Sequence, residues 1–134
     1  MSVELPAPKS PTAVIWIGRV ISLLPVLLLT MSAVMKFQQP KEVVEGFEKM
    51  GWPLSLTFTL GIIEVACTVL YLIPQTAVLG AILLTGYLGG ATATHVRIED
   101  PMWFPPIIMG ALVWLGLLLR DRRLWPLLPF RRLP

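Results

Sequence analysis

Four apolar stretches, each close to the length that a helix needs to cross a lipid bilayer, constrain this sequence more than any other feature. They span approximately residues 13–35, 54–73, 76–96 and 104–119. A helix crosses the hydrocarbon core in about 20 residues, within a usual range of about 17 to 25. The first three stretches fit, and the shorter fourth opens on Pro105 and Pro106, which suit a first helical turn. The pattern predicts an integral membrane protein.

Composition supports this prediction and excludes most soluble classes. Hydrophobic residues make up 55% of the 134 residues and charged residues 14%, whereas soluble proteins are about 25% charged. A soluble fold of this size could not bury so much apolar surface. The runs are continuous rather than alternating, which argues against a transmembrane β-barrel. A cleaved signal peptide is the alternative for the first stretch, but its basic leader is poor and its apolar run long.

The connections between the stretches predict the topology of the bundle. Within residues 36–53, Pro40 can open a short helix over about 40–50, which Gly51 ends. One face of that helix is apolar and the opposite face is charged, as in a helix lying on a membrane surface. Its apolar face carries Val43, Val44, Phe47 and Met50. The short connection at Pro74 forces the next two helices into an antiparallel hairpin.

We therefore predict an all-α fold: a four-transmembrane-helix antiparallel bundle with a short amphipathic surface helix between helices one and two. Residues 1–12 are expected to be a disordered cytoplasmic lead-in, 13–120 the membrane domain and 121–134 a basic cytoplasmic tail. Basic residues are more frequent at the termini than in the loops of the other side, so the positive-inside rule places both termini in the cytoplasm, with the bundle in the cell inner membrane. The terminal set comprises Lys9, Arg19, Arg120, Arg122, Arg123, Arg131 and Arg132, against Lys36, Lys41, Lys49 and Arg97 on the other side.

The basic tail directly follows an apolar segment, which favours contact with anionic lipid headgroups. Since no nucleic-acid-binding fold remains to carry these arginines, we expect no nucleic-acid partner. The lipid bilayer is the predicted partner, and a redox protein or further copies of the chain are the other candidates.

Glu64 lies near the middle of the second apolar stretch, where an ionised carboxylate costs on the order of 3 kcal/mol. Arg19, in the first stretch, is the natural partner. Its expected depth differs by only about 7 Å, at ~1.5 Å per residue, and Ser22 lies one turn further on. Three interpretations stay open: a proton- or ligand-handling site, a structural pair that fixes helix register, or no contact between the two.

The third apolar stretch is rich in small residues, including the pairs Gly86 and Gly90, and Gly89 and Ala93. Small residues at this spacing favour close helix packing, and a pocket for a flat ligand is the alternative. Thr85, Gly89 and Thr92 share a face, so their hydroxyl groups can bond across the bundle or back onto their own helix.

His95, the single histidine, lies near the end of the same stretch, with Arg97 two residues later. It is interpreted as a partly solvated interfacial residue, or alternatively as a proton entrance or a contact for a quinone head group. One histidine and one cysteine, Cys67, make a poor metal site, so no metal is expected. The predicted ligand-binding residues are Arg19, Glu64, Thr85, Tyr87, Thr92, His95 and Arg97.

The sequence also resembles the DoxX-like family of small four-helix membrane proteins. The resemblance rests on Trp16-Ile-Gly-Arg19, Met35-Lys36-Phe37, Phe47-Glu-Lys-Met-Gly51, Gly61-Ile-Ile-Glu64, Leu70-Tyr-Leu-Ile-Pro74 and the segment from Gly80 to His95 with Arg97. It implies a four-helix membrane bundle linked to quinone-dependent redox systems, as a subunit or accessory.

No catalytic residue is apparent, since nucleophile elbow, glycine-rich phosphate loop and cysteine pair are all missing from the sequence. The chain is therefore expected to be a membrane subunit or accessory of a redox, quinone-linked system rather than an enzyme on its own. One alternative is a binding protein for a quinone or another small lipophilic ligand at an intramembrane Arg–Glu site. A second is a transporter or a chaperone-like accessory of another membrane protein.

Overall fold

The structure, a computed structural model, describes residues 12–131, 133 and 134. The predicted lead-in over 1–12 therefore lies almost entirely outside the described residues. The described part is all-α and contains no strand, which confirms the all-α part of the prediction. Its five helices are α1 (Thr12–Gln38), α2 (Lys41–Met50), α3 (Leu56–Leu72), α4 (Ala77–Arg97) and α5 (Pro105–Arg120), with short 3-10 turns at Pro101–Trp103 and Arg122–Leu124.

Three of these segments are long and apolar enough to cross a membrane, namely Thr12–Gln38, Ala77–Arg97 and Pro101–Arg120. Helix α3 is apolar but shorter, at 17 residues. The outward faces of all four helices carry exposed aliphatic side chains, such as Leu27, Ile62, Ile82 and Ile107. Such an apolar belt needs lipid to cover it, because a soluble monomer rarely exposes contiguous apolar patches larger than a few hundred Å².

The four long helices pack as a square. Helix α1 contacts α3 and α5, and α4 contacts the same two, so that α1 and α4 lie on one diagonal. Helices α1 and α3 run antiparallel, since Gln39 bonds to Thr57 near one end of the pair and Ser22 meets Tyr71 near the other. The buried core is aliphatic around one tyrosine, with Leu29, Tyr71, Leu84, Val113 and Leu117 at its centre.

Tyr71 ties three helices together at the end of the bundle where α1 begins. Its hydroxyl donates to the Val113 carbonyl at 2.7 Å and lies 3.0 Å from Ser22 Oγ. Arg120 stacks on its ring at 4.6 Å and donates to its carbonyl oxygen at 3.1 Å. These bonds satisfy a fully buried phenol, which would otherwise destabilise the core.

The small residues of α4 are not all used for close packing, which corrects the expectation for this stretch. At Gly80, a Cβ atom would lie 2.3 Å from the backbone nitrogen of Tyr71, so here α3 and α4 do touch backbone to backbone. At Gly86, Gly89 and Gly90, a Cβ atom would meet nothing within 4 Å. No described residue therefore packs against these three glycines.

Helix α2 lies across the end of the bundle where α1 ends. Gly51, with φ of +73°, takes the left-handed conformation that ends the helix, and its amide donates to the Glu48 carbonyl. Phe47 is buried, whereas Lys41, Glu45 and Lys49 are exposed, as the amphipathic pattern predicts. The Arg97 guanidinium donates to the Met50 carbonyl oxygen, and Lys49 Nζ lies 3.5 Å from Asp100 Oδ2. These contacts hold the end of α2 against the end of α4.

Candidate ligand cavity and its ion pair

A buried ion pair joins α1 to α3 inside the bundle. Lys36 Nζ lies 2.7 Å from Glu64 Oε2 and donates a second hydrogen bond to Ser32 Oγ at 2.6 Å. The two charged side chains are 15% and 2% exposed. The pair satisfies the requirement that an ionised group at membrane depth finds a partner.

The placement of Lys36 follows from helix geometry. Helix α1 continues to Gln38, so Lys36 belongs to its last turn rather than to a loop. Side chains on a helix point towards its N-terminus, and the ammonium is thereby directed back into the bundle. Ser32 lies one turn earlier on the same face, and Glu64 faces it from the antiparallel helix.

The predicted Arg19–Glu64 pair does not form. Arg19 lies 17 residues before Lys36 on the same helix, which corresponds to roughly 25 Å along the axis. It is exposed and stacks on the Trp16 ring at 4.8 Å. The prediction fails because the centres of the two stretches do not lie at one depth: the register places the end of α1 beside the first half of α3.

Lys36 is the site residue that sequence reasoning missed. It had been assigned to the outer loop and counted towards topology. Two signals in the sequence could have identified it: the serine four residues earlier, and its place in the Met35-Lys36-Phe37 motif of the resemblance.

A cavity of about 670 Å³ lies beside this ion pair. Its walls come from all five helices, and α2 closes it at one end with Val43, Phe47 and Met50. The lining is mostly aliphatic and aromatic, and both Lys36 and Glu64 belong to it. Cavities of this size, apolar with a few convergent polar groups, are typical of small-molecule sites.

One wall of the cavity is formed by α4. Gly86, Tyr87 and Gly90 line it, and the two glycines are exposed. The Tyr87 ring lies 6.0 Å from Lys36 Nζ, at the outer limit of a cation–π contact. Of the two interpretations of the small residues in this part of α4, the structure favours the pocket over helix packing.

His95 also lines the cavity, at the end nearest α2. Its Nδ1 lies 3.2 Å from Asp100 Oδ2. The Met102 backbone N–H, which donates to Asp100 Oδ1 at 2.9 Å, is the main reason why the pKa of this carboxyl is lowered. His95 and Lys49 add to the effect. Asp100 therefore stays ionised and joins His95 to α2 through Lys49.

The remaining predicted residues lie away from the cavity. Thr85 donates to the Ala81 carbonyl and accepts a hydrogen bond from Trp114 Nε1, both at 2.7 Å. Thr92 donates to the Leu88 carbonyl on its own helix. Arg97 holds the end of α2 rather than facing the cavity. Of the seven predicted residues, the structure brings Glu64, Tyr87 and His95 to the cavity wall.

The arrangement can bind and orient a ligand by hydrogen bonds inside an apolar space. An ammonium has three N–H donors. In Lys36 one serves Glu64 and another Ser32, which leaves one for a bound molecule. Among the described residues, no group of three or more His, Cys, Asp or Glu side chains is placed to hold a metal ion.

Apolar helices with lipid-facing surfaces around a cavity with a buried ion pair define an integral membrane protein of the helical-bundle class. The model of the DoxX-like family matches residues 20–116, so the chain belongs to the DoxX-like family, as the resemblance suggested. Comparisons with curated proteins and with solved structures give no significant match.

Proposed function

We propose that this protein binds a lipophilic small molecule in the cavity between α2 and the bundle, with the polar group of that molecule on Lys36. The observation that carries the proposal is the buried Lys36–Glu64 pair in the wall of an otherwise apolar cavity of about 670 Å³. A pair that only fixed helix register would serve equally well in a packed core. Here it borders open volume.

The charges favour a neutral ligand with a hydrogen-bond acceptor. Glu64 already neutralises the ammonium of Lys36, so an anionic head group would meet a carboxylate beside the one ammonium among the described residues that line the cavity. A carbonyl oxygen can accept the remaining N–H of Lys36 without bringing a net charge into an apolar space. A quinone combines carbonyl acceptors with an apolar body, and it is the cofactor class linked to the family resemblance.

The direct test is binding of decylubiquinone to the purified protein in detergent, followed by native mass spectrometry and by quenching of tryptophan fluorescence. Trp52 lines the cavity and acts as an internal reporter. We expect saturable binding, weakened about tenfold or more in Lys36→Met, which loses the donor. Dodecyl phosphate, with a similar tail and a charged head, is the control and should bind more weakly. Equal binding of both amphiphiles would contradict the proposal.

The wider role that we propose is that of a membrane subunit or accessory of a quinone-linked redox system, anchored in the cell inner membrane. Four crossings, with both termini in the cytoplasm, are part of this proposal. The support for four crossings is that α3, at 17 residues, reaches the lower limit for a crossing. The partner is tested by purification in mild detergent, in which a redox protein should co-purify at a fixed ratio. Recovery of the chain alone at every detergent concentration would contradict a stable partner.

A further inference from the structure

Lys36 is a primary amine in an apolar cavity, with a carboxylate in hydrogen-bond contact. We propose that the cavity takes lipophilic aldehydes and that Lys36 condenses with them to form a Schiff base whose positive charge is paired with Glu64. This inference rests on the proposed function, because it requires the cavity to accept lipophilic molecules. It goes further by naming a second ligand class and a covalent site.

The chemistry needs only the groups that are present. Glu64 Oε2, 2.7 Å from Lys36 Nζ, takes one proton from the ammonium and frees the amine as a nucleophile. The amine nitrogen forms a bond to the aldehyde carbon, and the resulting carbinolamine loses its hydroxyl as water, with the proton returned by Glu64. The balance is one ammonium and one aldehyde giving one protonated imine and one water, with no oxidant or reductant.

The surroundings favour the product. An iminium ion keeps the positive charge of the ammonium, so the pairing with Glu64 is retained. Intramembrane carboxylates serve as counter-ions of bound ligands in this way. Before the reaction, Ser32 Oγ accepts a hydrogen bond from the Lys36 nitrogen at 2.6 Å. The serine is not consumed by the reaction. The low water content of an apolar cavity opposes hydrolysis of the imine.

The other described lysines provide an internal comparison. Lys41 and Lys49 have side chains that are 84% and 63% exposed, against 15% for Lys36. Lys41 has Glu45 at 3.7 Å and Lys49 has Asp100 at 3.5 Å, so each of these lysines also has a carboxylate nearby. Only Lys36 combines a carboxylate with an apolar cavity. Simple exposure predicts that Lys36 reacts most slowly, whereas the proposal predicts that it reacts fastest with an apolar aldehyde.

The experiment incubates the full chain in detergent with decanal and sodium cyanoborohydride, which fixes an imine as a stable alkyl-lysine, and measures each lysine by peptide mass spectrometry. We expect Lys36 to be labelled at least about tenfold faster than Lys41. With glyoxylate, a polar anionic aldehyde, the order should reverse. In Glu64→Gln, labelling of Lys36 by decanal should fall by about 100-fold, the usual share of a general acid–base group. Lys36→Arg keeps the cation and should lose the label at this position.

Misfolding of the Glu64→Gln variant is checked separately by its thermal unfolding in detergent. If that variant does not fold, competition replaces it: decylubiquinone should protect Lys36 from decanal and leave Lys41 unaffected. If the rates of decanal labelling simply increase with the exposed fraction of each lysine side chain, the inference is overturned. If decylubiquinone nevertheless binds, the proposed function stands and only the aldehyde site falls. If neither molecule prefers the cavity, both fall.

Discussion

The ammonium of Lys36, in the last turn of α1, lies 2.7 Å from the carboxylate of Glu64, in the middle of α3. This contact joins the two antiparallel helices beside the cavity, and both of its charged groups line the cavity wall. It also replaces the pair with Arg19 that the sequence suggested. The first prediction concerns the energy of this pair.

Removing one member of the pair should destabilise the bundle more than removing both. Glu64→Gln or Lys36→Met leaves one buried polar or charged group without its partner, at a cost of about 3 kcal/mol or more. The double variant Lys36→Met/Glu64→Leu should recover most of that stability, because no charge remains to be desolvated. Thermal unfolding in detergent checks this order. Single variants that melt at the parent temperature would show that the pair is worth little.

Two glycines of α4 should respond in opposite ways to the same substitution. Gly80→Ala places a methyl group 2.3 Å from the Tyr71 backbone nitrogen, so α3 and α4 must separate. We expect a loss near the upper end of the usual overpacking cost, about 3 kcal/mol. Gly86→Ala meets nothing within 4 Å and should be neutral or slightly stabilising. The melting temperatures of the two variants give the comparison, and equal shifts would argue against the backbone contact at Gly80.

Two neighbouring glycines offer a matched test of the cavity. Gly89 and Gly90 are both exposed and both have free space around them, but only Gly90 lines the cavity. Gly90→Phe should fill part of the volume and weaken binding of decylubiquinone by about tenfold or more, through steric exclusion. Gly89→Phe should leave the affinity unchanged. Native mass spectrometry across a ligand titration measures both, and a loss in both variants would place the ligand elsewhere.

Acid should weaken the attachment of α2 to α4. The pKa of Asp100 is lowered from 3.8 by the Met102 amide, His95 and Lys49. A depressed carboxyl pKa contributes stability above the ordinary pKa, and this contribution is lost as the pH falls through the lower, folded value. The contacts of Asp100 should therefore persist at neutral pH and be lost only when the pH falls below 3.8, the ordinary value for this carboxyl.

Hydrogen exchange at the Met50 and Met102 amides follows this change. Asp100→Asn should show faster exchange already at neutral pH, since it cannot pair with Lys49. Protection factors at these amides, corrected for the intrinsic pH dependence of exchange, that do not fall in acid in the parent protein would mean that Asp100 does not hold the end of α2.

The membrane topology can be checked with single cysteines. The native Cys67 is buried, so it gives little background with an impermeant maleimide. With four crossings, Glu42→Cys on α2 and Phe130→Cys in the tail lie on opposite sides of the membrane. We expect labelling of Glu42→Cys in intact cells and of Phe130→Cys only after permeabilisation. Labelling of both in intact cells would contradict an even number of crossings.

Much of the fold could be predicted because it depends on local properties of the chain. Continuous apolar runs require helices in lipid, where each backbone group must bond within its own segment. Pro40 and Gly51 bound α2 for reasons of backbone geometry alone. The polar contacts could not be predicted in the same way. Helix α1 carries two basic residues, Arg19 and Lys36, and each of them could face Glu64 in a different register of the two helices. The register between α1 and α3 decides which one it meets.

The amino-acid sequence by itself determined that the chain is an all-α membrane protein, where α2 starts and ends, and that Glu64 is a costly charge within an apolar helix. Only the tertiary structure decided that the partner is Lys36, and that Gly86 and Gly90 border a cavity instead of another helix. The physical reason is the distance along the chain over which each effect acts. Apolar length and backbone preference act within a few turns of one helix, whereas register and empty volume arise from how separate helices pack against each other.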